Sequence, residues 1–199
     1  MADLDPFGSL LELIQKEWNQ AEQDVKLAEQ VCKNIIIPSV KELRYAGRSI
    51  VDALNLIRTG GSRREIETLL QDACFNCRRA RHDAIDAASS KIAMDLEIMV
   101  SQLGYDAILP AFPLFPDLVH DLNELRNKIV ISRSNRDERD KIYGELECVD
   151  LPSIVLSFNR LRECEEIMKR LAAVRRRNEL LTWIGLGLAV IGVAITFMV

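Results

Sequence analysis

Apolar and polar residues alternate along the first part of the chain with the period of an α-helix. From Ser9 onward, apolar side chains recur at spacings of three and four, with charged and amide side chains between them. The pattern is a heptad stripe about three and a half repeats long. It predicts either one helix of an intramolecular bundle or an oligomerising coiled-coil seam, and the bundle is favoured because similar helices follow. The stripe comprises Leu11, Ile14, Trp18, Ala21, Val25, Ala28, Cys32 and Ile35.

Further stretches with the same period predict five more helices. They cover approximately residues 39–58, 62–103, 117–132, 135–146 and the region from 152 onward. The many alanines of the third helix predict close packing against a neighbour. No stretch has the period of a strand. The predicted fold class is therefore all-α, a helical bundle with long helices.

Two serines and three prolines mark the predicted ends of these helices. Ser9 with Glu12, and Ser62 with Glu65, match the capping box, in which a serine and a glutamate cap a helix start reciprocally. The segment LPAFPLFP, residues 109–116, has a proline at every third position. Because proline lacks a backbone N–H, this segment is predicted to be extended or turn-like, not helical.

The sequence is uncharged from Leu180 to Val199. About twenty residues in a helix extend roughly 30 Å, which matches the hydrocarbon core of a bilayer. We predict a single C-terminal transmembrane helix, residues 180–199, with Trp183 as an interfacial anchor. Basic residues precede this segment and none follows it, so the N-terminal part is expected in the cytoplasm. These residues are Lys169, Arg170, Arg175, Arg176 and Arg177.

The predicted arrangement is that of a tail-anchored protein. The start, MADLDPFGSLLEL, lacks the basic region of a signal peptide. Residues 1–150 would form a cytoplasmic helical bundle, 151–179 an amphipathic juxtamembrane segment and 180–199 the span. No proline or glycine lies between Pro152 and Gly185, so the final helix is predicted to run unbroken into the membrane. The expected surface contacts are Arg175, Arg176, Arg177 and Trp183.

Small residues share one face of the predicted span. Gly185, Ala189, Gly192 and Thr196 follow one another at spacings of four, three and four. Such a face lets a second helix approach closely, which predicts a homo-oligomer. The alternative is that glycine and alanine are simply frequent in membrane helices.

Composition narrows the partners and the chemistry. A net charge of −4 over 199 residues gives no basic footprint, so no nucleic-acid partner is predicted. Five cysteines, an odd number, predict free thiols. Cys74 and Cys77 form a CxxC motif, but only His82 and His120 supply imidazoles and no strand precedes the motif. The two thiols are therefore interpreted as small residues on a buried helix face, and no metal or cofactor is predicted.

Two arginine-rich helical faces are the candidate binding residues. Spacings of four place Arg44, Arg48 and Asp52 on one face of the second helix, and Arg78, His82 and Asp86 on one face of the third. The faces could pair through arginine–aspartate bridges, bind a small anionic ligand such as a phosphate, or contact a cytoplasmic protein partner. The same spacing is also typical of a solvated, salt-bridged surface.

The stretch LVHDLNELRNKIVISRSNRDERDKIYGEL resembles the arginine–asparagine helix of the HEPN superfamily at Leu125, Arg126 and Asn127. The resemblance covers about one helix and implies a small helical-bundle domain, many of which are ribonucleases in bacterial toxin and antiviral systems. The family's motif continues with a histidine, whereas no histidine lies between Asn127 and Arg133. Without an imidazole the acid–base partner is missing, so the resemblance argues against nuclease activity.

The segment LRYAGR, from Leu43 to Arg48, resembles the LRxAGD core of the BH3 segment in Bcl-2-type proteins. Those proteins are also helical and tail-anchored, which implies a helical regulator as an alternative function. Here Arg48 stands in place of the family's aspartate, and no NWGR motif is present.

The sequence thus predicts a non-enzymatic, tail-anchored protein that self-associates through its transmembrane helix and couples a cytoplasmic sensing bundle to the lipid bilayer. The HEPN-like helix favours a membrane-perturbing defence or toxin-type effector. The alternative is a passive tether or scaffold that recruits a cytoplasmic partner. No phosphate-binding loop, catalytic triad order or HExxH motif is present.

Overall fold

The structure, a computed structural model, describes residues 5–135 and 137–196, and the side chains of 6–135 and 137–188. Every regular element in these ranges is helical, which confirms the all-α class. A 3₁₀ turn (Asp5–Phe7) precedes the first helix, and a π-helical turn (Leu146–Asp150) follows the sixth. The helices are α1 (Gly8–Cys32), α2 (Ile37–Thr59), α3 (Arg63–Leu103), α4 (Tyr105–Ala111), α5 (Phe115–Ser134), α6 (Arg139–Glu145), α7 (Leu151–Glu163) and α8 (Glu165–Thr196).

The chain divides into two compact units. Unit 1 comprises Met1–Met94 and Asp121–Val155, and unit 2 comprises Asp95–His120 and Leu156–Val199. Helices α3, α5 and α7 each contribute residues to both. The boundaries that the sequence predicts, after residues 150 and 179, stay predictions based on charge and periodicity.

The core of unit 1 forms where α1, α2 and α3 meet along their small and apolar faces. Ala21, Ala46, Cys77 and Ala80 make one cluster, covered by Trp18 and Leu43. Alanine and cysteine at these positions keep the helices close, as the alanine content predicts. A second cluster lies nearer the helix ends and contains Phe7, Ile14, Ala53, Ile66, Leu70, Ala73 and Cys74.

The core of unit 2 brings the aromatic residues of the proline-rich region together with the final two helices. Its α4 helix packs against α8. Buried apolar side chains of this unit are Leu96, Ala107, Ile108, Phe112, Phe115, Leu118, Phe158, Leu161, Met168 and Ala172.

Of the two predicted capping serines, only Ser62 caps a helix. The backbone N–H of Glu65 donates to Ser62 Oγ at 3.4 Å. The prediction for Ser9 is wrong, because α1 begins at Gly8 and the residue at its N-cap is Phe7, which makes no side-chain cap bond. Phe7 is buried in the core, so packing fixes this helix start instead of a capping side chain.

The prediction of a non-helical LPAFPLFP segment is wrong in part. Residues 105–111 form the short helix α4, with Pro110 inside it. Pro110 cannot donate to the carbonyl of Asp106, four residues before it, so α4 forgoes one backbone hydrogen bond. Burial of Ala107 and Ile108 stabilises the short helix, and the N–H of Phe112 still donates to the carbonyl of Ile108 at 2.8 Å. Only residues 112–114 are non-helical, and Pro116 lies in the first turn of α5, where a missing N–H costs nothing.

The final helix is not unbroken. Cys164 is non-helical and separates α7 from α8, so the helix that enters the predicted span begins at Glu165. The N–H of Cys164 bonds to Leu161 at 3.0 Å, three residues back, and that of Met168 bonds to Cys164 at 3.0 Å. Neither proline nor glycine is needed for this interruption, which explains why the sequence rule missed it.

Helix α8 carries most of the predicted span. In the described residues, no helix has an apolar stretch long enough to cross a membrane. Residues 197–199, and the side chains of Ala189, Gly192 and Thr196 on the predicted small-residue face, lie outside the described part. Gly185 is described. Apart from its two chain neighbours and the backbone of its own helical turns, no described atom lies within 4 Å of the position that its Cβ would take.

Candidate functional site

A buried guanidinium with three carboxylates lies in unit 1. Arg81 contacts Glu17 at 2.5 Å, Asp24 at 3.4 Å and Glu147 at hydrogen-bonding distance. All four side chains are largely shielded from water, Glu147 most strongly at 2% exposure. We call these four residues the Arg81 cluster. One guanidinium neutralises one carboxylate, so the cluster holds excess negative charge when all three are ionised.

Three helical elements supply the cluster. Glu17 and Asp24 lie seven residues, about two helical turns, apart on one side of α1. Arg81 projects from the middle of α3, beside the core residues Cys77 and Ala80. Glu147 comes from the π-helical turn, whose C-terminal bond runs from Leu151 N–H to the carbonyl of Leu146. An extra residue in a helical turn changes where a side chain points, and here the turn carries a carboxylate that is buried against Arg81.

Burial sets the protonation of Asp24. Removal from water, reinforced by the negative charge of Glu147, raises the pKa of Asp24 from 3.8 to about 7. Arg81 opposes this shift without cancelling it. Below about pH 7 Asp24 therefore carries a proton, which lowers the negative charge of the Arg81 cluster.

A second polar network adjoins the first. The rings of His82 and Tyr143 stack with centroids 3.7 Å apart and planes at 23°. Tyr143 donates its hydroxyl to Asp86 at 3.0 Å, and Arg133 donates to the same carboxylate at 2.7 Å. Burial lowers the pKa of His82 to about 4, so its imidazole is neutral at physiological pH.

These networks form the walls of a cavity of about 290 Å³. Arg78 spans part of it, donating to Glu17 at 3.1 Å and to Asp140 at 2.7 Å. The cavity is amphoteric, since cations and anions line it in similar number. Its lining residues are Lys16, Glu17, Gln20, Arg78, Arg81, His82, Asp140, Tyr143, Gly144, Glu147 and Cys148.

The residues predicted on the third helix come together at this cavity. Arg78 and His82 line it, and Asp86 holds the hydroxyl of Tyr143. The guanidinium of Arg78 already engages two carboxylates, so an anionic ligand would compete with Glu17 and Asp140. Binding by these residues stays a prediction.

The residues predicted on the second helix are not part of the cavity lining. Arg48 pairs with Asp52 on their own helix at 2.9 Å, with 77% of the Arg48 side chain exposed, and Arg44 is exposed. An arginine–carboxylate pair does join α2 to α3, but through Glu42 and Arg79 at 3.3 Å. The salt-bridged surface that the sequence left open as an alternative describes Arg48 and Asp52.

Sequence reasoning missed Glu17, Asp24, Tyr143 and Glu147. The sequence places Glu17 and Asp24 only among the charged residues between the apolar positions of the heptad stripe. Their separation of seven residues was an available signal, because it keeps both carboxylates on the same side of that stripe. No motif in the sequence around Glu147 predicts a π-helical turn.

The cysteines behave as expected for free thiols. No disulfide bond joins any of the five, and Cys74 and Cys77 are buried in the two core clusters of unit 1. Burial raises the pKa of Cys77 to about 12, which keeps the thiol protonated and unreactive. Among the residues that the structure describes, no group of three or more histidine, cysteine and acidic side chains is arranged to hold a metal ion.

The basic residues before the predicted span are placed in unit 2. Arg175 forms ion pairs with Asp106 and with Glu179, the latter at 2.7 Å. Arg176 donates to the carbonyl of Gln102 at 2.6 Å, and Arg177 is exposed. Trp183 is 72% exposed, as a residue that contacts lipid would be.

Comparison of the chain with protein-family models, with curated proteins and with solved structures finds no match. The class that fold and site define is thus a helical protein with an amphoteric cavity and a final helix that is charged up to Glu179 and uncharged from Leu180.

Proposed function

We propose that this protein is a non-enzymatic, membrane-attached helical protein. The segment 180–199 inserts in the bilayer as a C-terminal anchor and self-associates there, and the cytoplasmic bundle binds a partner or small ligand at its cavity. Assembly of several spans would perturb the membrane, in the manner of a defence or toxin-type effector.

One observation carries this proposal. Between Leu180 and Leu188, α8 exposes six large apolar side chains and has no charged residue. Soluble proteins rarely leave a contiguous apolar surface of this kind uncovered, and lipid would cover such a stretch of helix. The exposed residues are Leu180, Leu181, Trp183, Ile184, Leu186 and Leu188.

The site supports binding in preference to catalysis. The cavity's guanidiniums and carboxylates are engaged with each other, and His82 is neutral and stacked on Tyr143. Such a network responds to a ligand that competes for its charges, because each displaced carboxylate must find another partner.

Membrane insertion is tested by alkaline extraction of membranes from cells that express the full chain. We expect the protein to stay in the membrane pellet and to be released by detergent. Leu188→Arg should shift it to the supernatant, since arginine at the centre of a span costs roughly 2.5–3.5 kcal/mol. Leu188→Phe is the matched control and should stay in the pellet. Release of the unaltered chain without detergent would contradict the proposal.

The effector role is tested by induced expression with dye uptake and colony counts. We expect dye entry and loss of colonies, together with a detergent-extracted particle larger than one chain. Full insertion with unchanged permeability and a single-chain particle would defeat the effector and leave an anchor.

A passive tether is the second candidate, and the interruption at Cys164 favours it. A non-helical residue between α7 and α8 weakens direct mechanical transmission along the helix axis. Replacing residues 180–199 by a polyleucine helix separates the two functions. A tether still attaches to the membrane and recruits its partner after this replacement. A protein that assembles through its span no longer causes dye entry or loss of colonies.

A further inference from the structure

In unit 2 an apolar segment, from Tyr105 to Leu114, lies beside α8 close to Leu180, where the uncharged part of α8 begins. Asp106 of α4 pairs with Arg175, and the carbonyl of Gln102, just before α4, accepts from Arg176 at 2.6 Å. At Gly104, with φ +77, a Cβ atom would lie 3.7 Å from Nη1 of Arg175. Arg175 precedes Leu180 by five residues, about 7.5 Å along a helix.

The residues of this segment divide sharply by burial. Ala107 and Ile108 of α4 are buried, whereas Tyr105, Leu109 and Leu114 are exposed. Tyr105 and Leu109 are four residues apart and share one face of α4. The Tyr105 ring makes an edge contact with Phe115, with centroids 6.0 Å apart, so the buried aromatic core supports the exposed ring.

A groove of about 530 Å³ lies beside α4 along α8. Leu171, Val174 and Trp183 give it an apolar wall. Its charged groups are Arg175 and the two carboxylates that pair with it, Asp106 and Glu179. An apolar wall with a charged group at its rim matches the boundary between acyl chains and headgroups. The groove runs up to Thr182 and Trp183 and is therefore continuous with the proposed span.

We propose that the segment from Tyr105 to Leu114, with this groove, is a second membrane contact that rests in the headgroup region and takes phospholipid of the same leaflet. This inference rests on the proposed function, because the leaflet is the one that residues 180–199 enter. Two contacts, one spanning and one interfacial, fix the tilt and rotation of α8 relative to the bilayer, which a single helix leaves free.

The proposal is tested with the full chain reconstituted in phosphatidylcholine–phosphatidylglycerol vesicles that contain brominated lipids. Each variant carries one tryptophan, with Trp18→Phe throughout. The first keeps Trp183, the second has Leu109→Trp with Trp183→Phe, and the third has Ile167→Trp with Trp183→Phe. Ile167 is exposed on the same helix but lies about 20 Å before Leu180 along the axis, so it is the matched control. Circular dichroism and vesicle flotation verify folding and insertion of each variant.

We expect lipids brominated near the ester end of the acyl chain to quench the tryptophan at 109 strongly, and lipids brominated near the methyl end to quench it little. The tryptophan at 167 should keep its emission with both. A tryptophan at 109 that acrylamide quenches and brominated lipid does not lies in water, which would overturn the inference. Protection from both quenchers would mean a protein contact, such as a second copy, and would also overturn it.

The native Trp183 separates the two levels of the proposal. Quenching of Trp183 by brominated lipid without quenching at 109 would refute the second contact and leave the anchor intact. No quenching of Trp183, together with loss of flotation, would refute the anchor itself.

Discussion

Arg81 joins α1, α3 and the π-helical turn through a single guanidinium. Exposed pairs such as Arg48–Asp52 join residues of one helix and are screened by solvent. Buried pairs differ, because removing one partner leaves the other charge in a poorly solvated place. The contribution of Arg81 to unit 1 is therefore that of a cation that Asp24 and Glu147 require.

Substitution of Arg81 should be strongly destabilising. We expect Arg81→Met to lower the free energy of unfolding by about 3–5 kcal/mol, because Asp24 and Glu147 lose the guanidinium that they contact, whereas Glu17 keeps Arg78. Urea unfolding of the detergent-solubilised protein, followed by circular dichroism, measures this loss. Arg48→Met is the matched control and should leave the midpoint unchanged. Equal midpoints for both variants would show that Arg81 does not stabilise the fold.

Two titrating residues give opposite pH dependence to stability. The raised pKa of Asp24 means that its contribution is full below 3.8 and is lost as the pH rises through about 7. The lowered pKa of His82 means that its contribution is full above 6.5 and is lost as the pH falls through about 4. Between about pH 4 and pH 6.5, the opposite effects of Asp24 and His82 on the free energy of unfolding offset each other in the parent protein.

Replacing Asp24 or His82 singly should reveal the pH dependence of the free energy of unfolding that the other residue contributes. With Asp24→Asn, the free energy of unfolding should rise from pH 4 to pH 6.5, since the contribution of His82 is no longer opposed by that of Asp24. With His82→Phe, which keeps an aromatic ring against Tyr143, it should fall between pH 4 and pH 7. Urea midpoints across this range measure both. Parallel profiles for the parent and the two variants would contradict the assignment.

At the level of elements, the two serines predicted as caps form a matched pair. Ser62→Ala should lower the free energy of unfolding by about 0.5–2 kcal/mol, because the N–H of Glu65 loses its acceptor. Ser9→Ala should change it little, since Phe7 and not Ser9 is at the N-cap of α1. Urea unfolding of both variants provides the measurement. A larger loss for Ser9→Ala than for Ser62→Ala would contradict the described helix starts.

Helix positions were predictable from the sequence wherever the spacing of apolar residues alone decides where a helix forms. The predicted stripe is buried at Ile14, Ala21 and Val25, as its period requires, but α1 ends at Cys32 and Ile35 beyond it is 65% exposed. Prediction also failed at Pro110, where the packing of α4 outweighs the one backbone hydrogen bond that proline cannot make. The cavity was only half predictable, because Arg78 and His82 share a helix face but Glu147 reaches Arg81 from a residue 66 positions later.

At the scale of the molecule, the cysteines report on opening of the fold. Cys148 is exposed and should react at once with a thiol reagent, whereas Cys74 and Cys77 are buried and should react only after unit 1 opens. Mass spectrometry of peptides after timed labelling distinguishes them. Arg81→Met should speed labelling of Cys77 without changing that of Cys148. Immediate labelling of Cys77 in the parent would contradict its burial.

The single non-helical residue at Cys164 has a mechanical consequence for unit 2. A continuous helix is stiff about its axis, so rotation of one end is transmitted to the other. With the helix interrupted at Cys164, rotation of α8 is resisted by its packing against α4, to which the exposed Arg175–Asp106 pair adds little. Loss of that packing would let α8 rotate about its axis independently of α7.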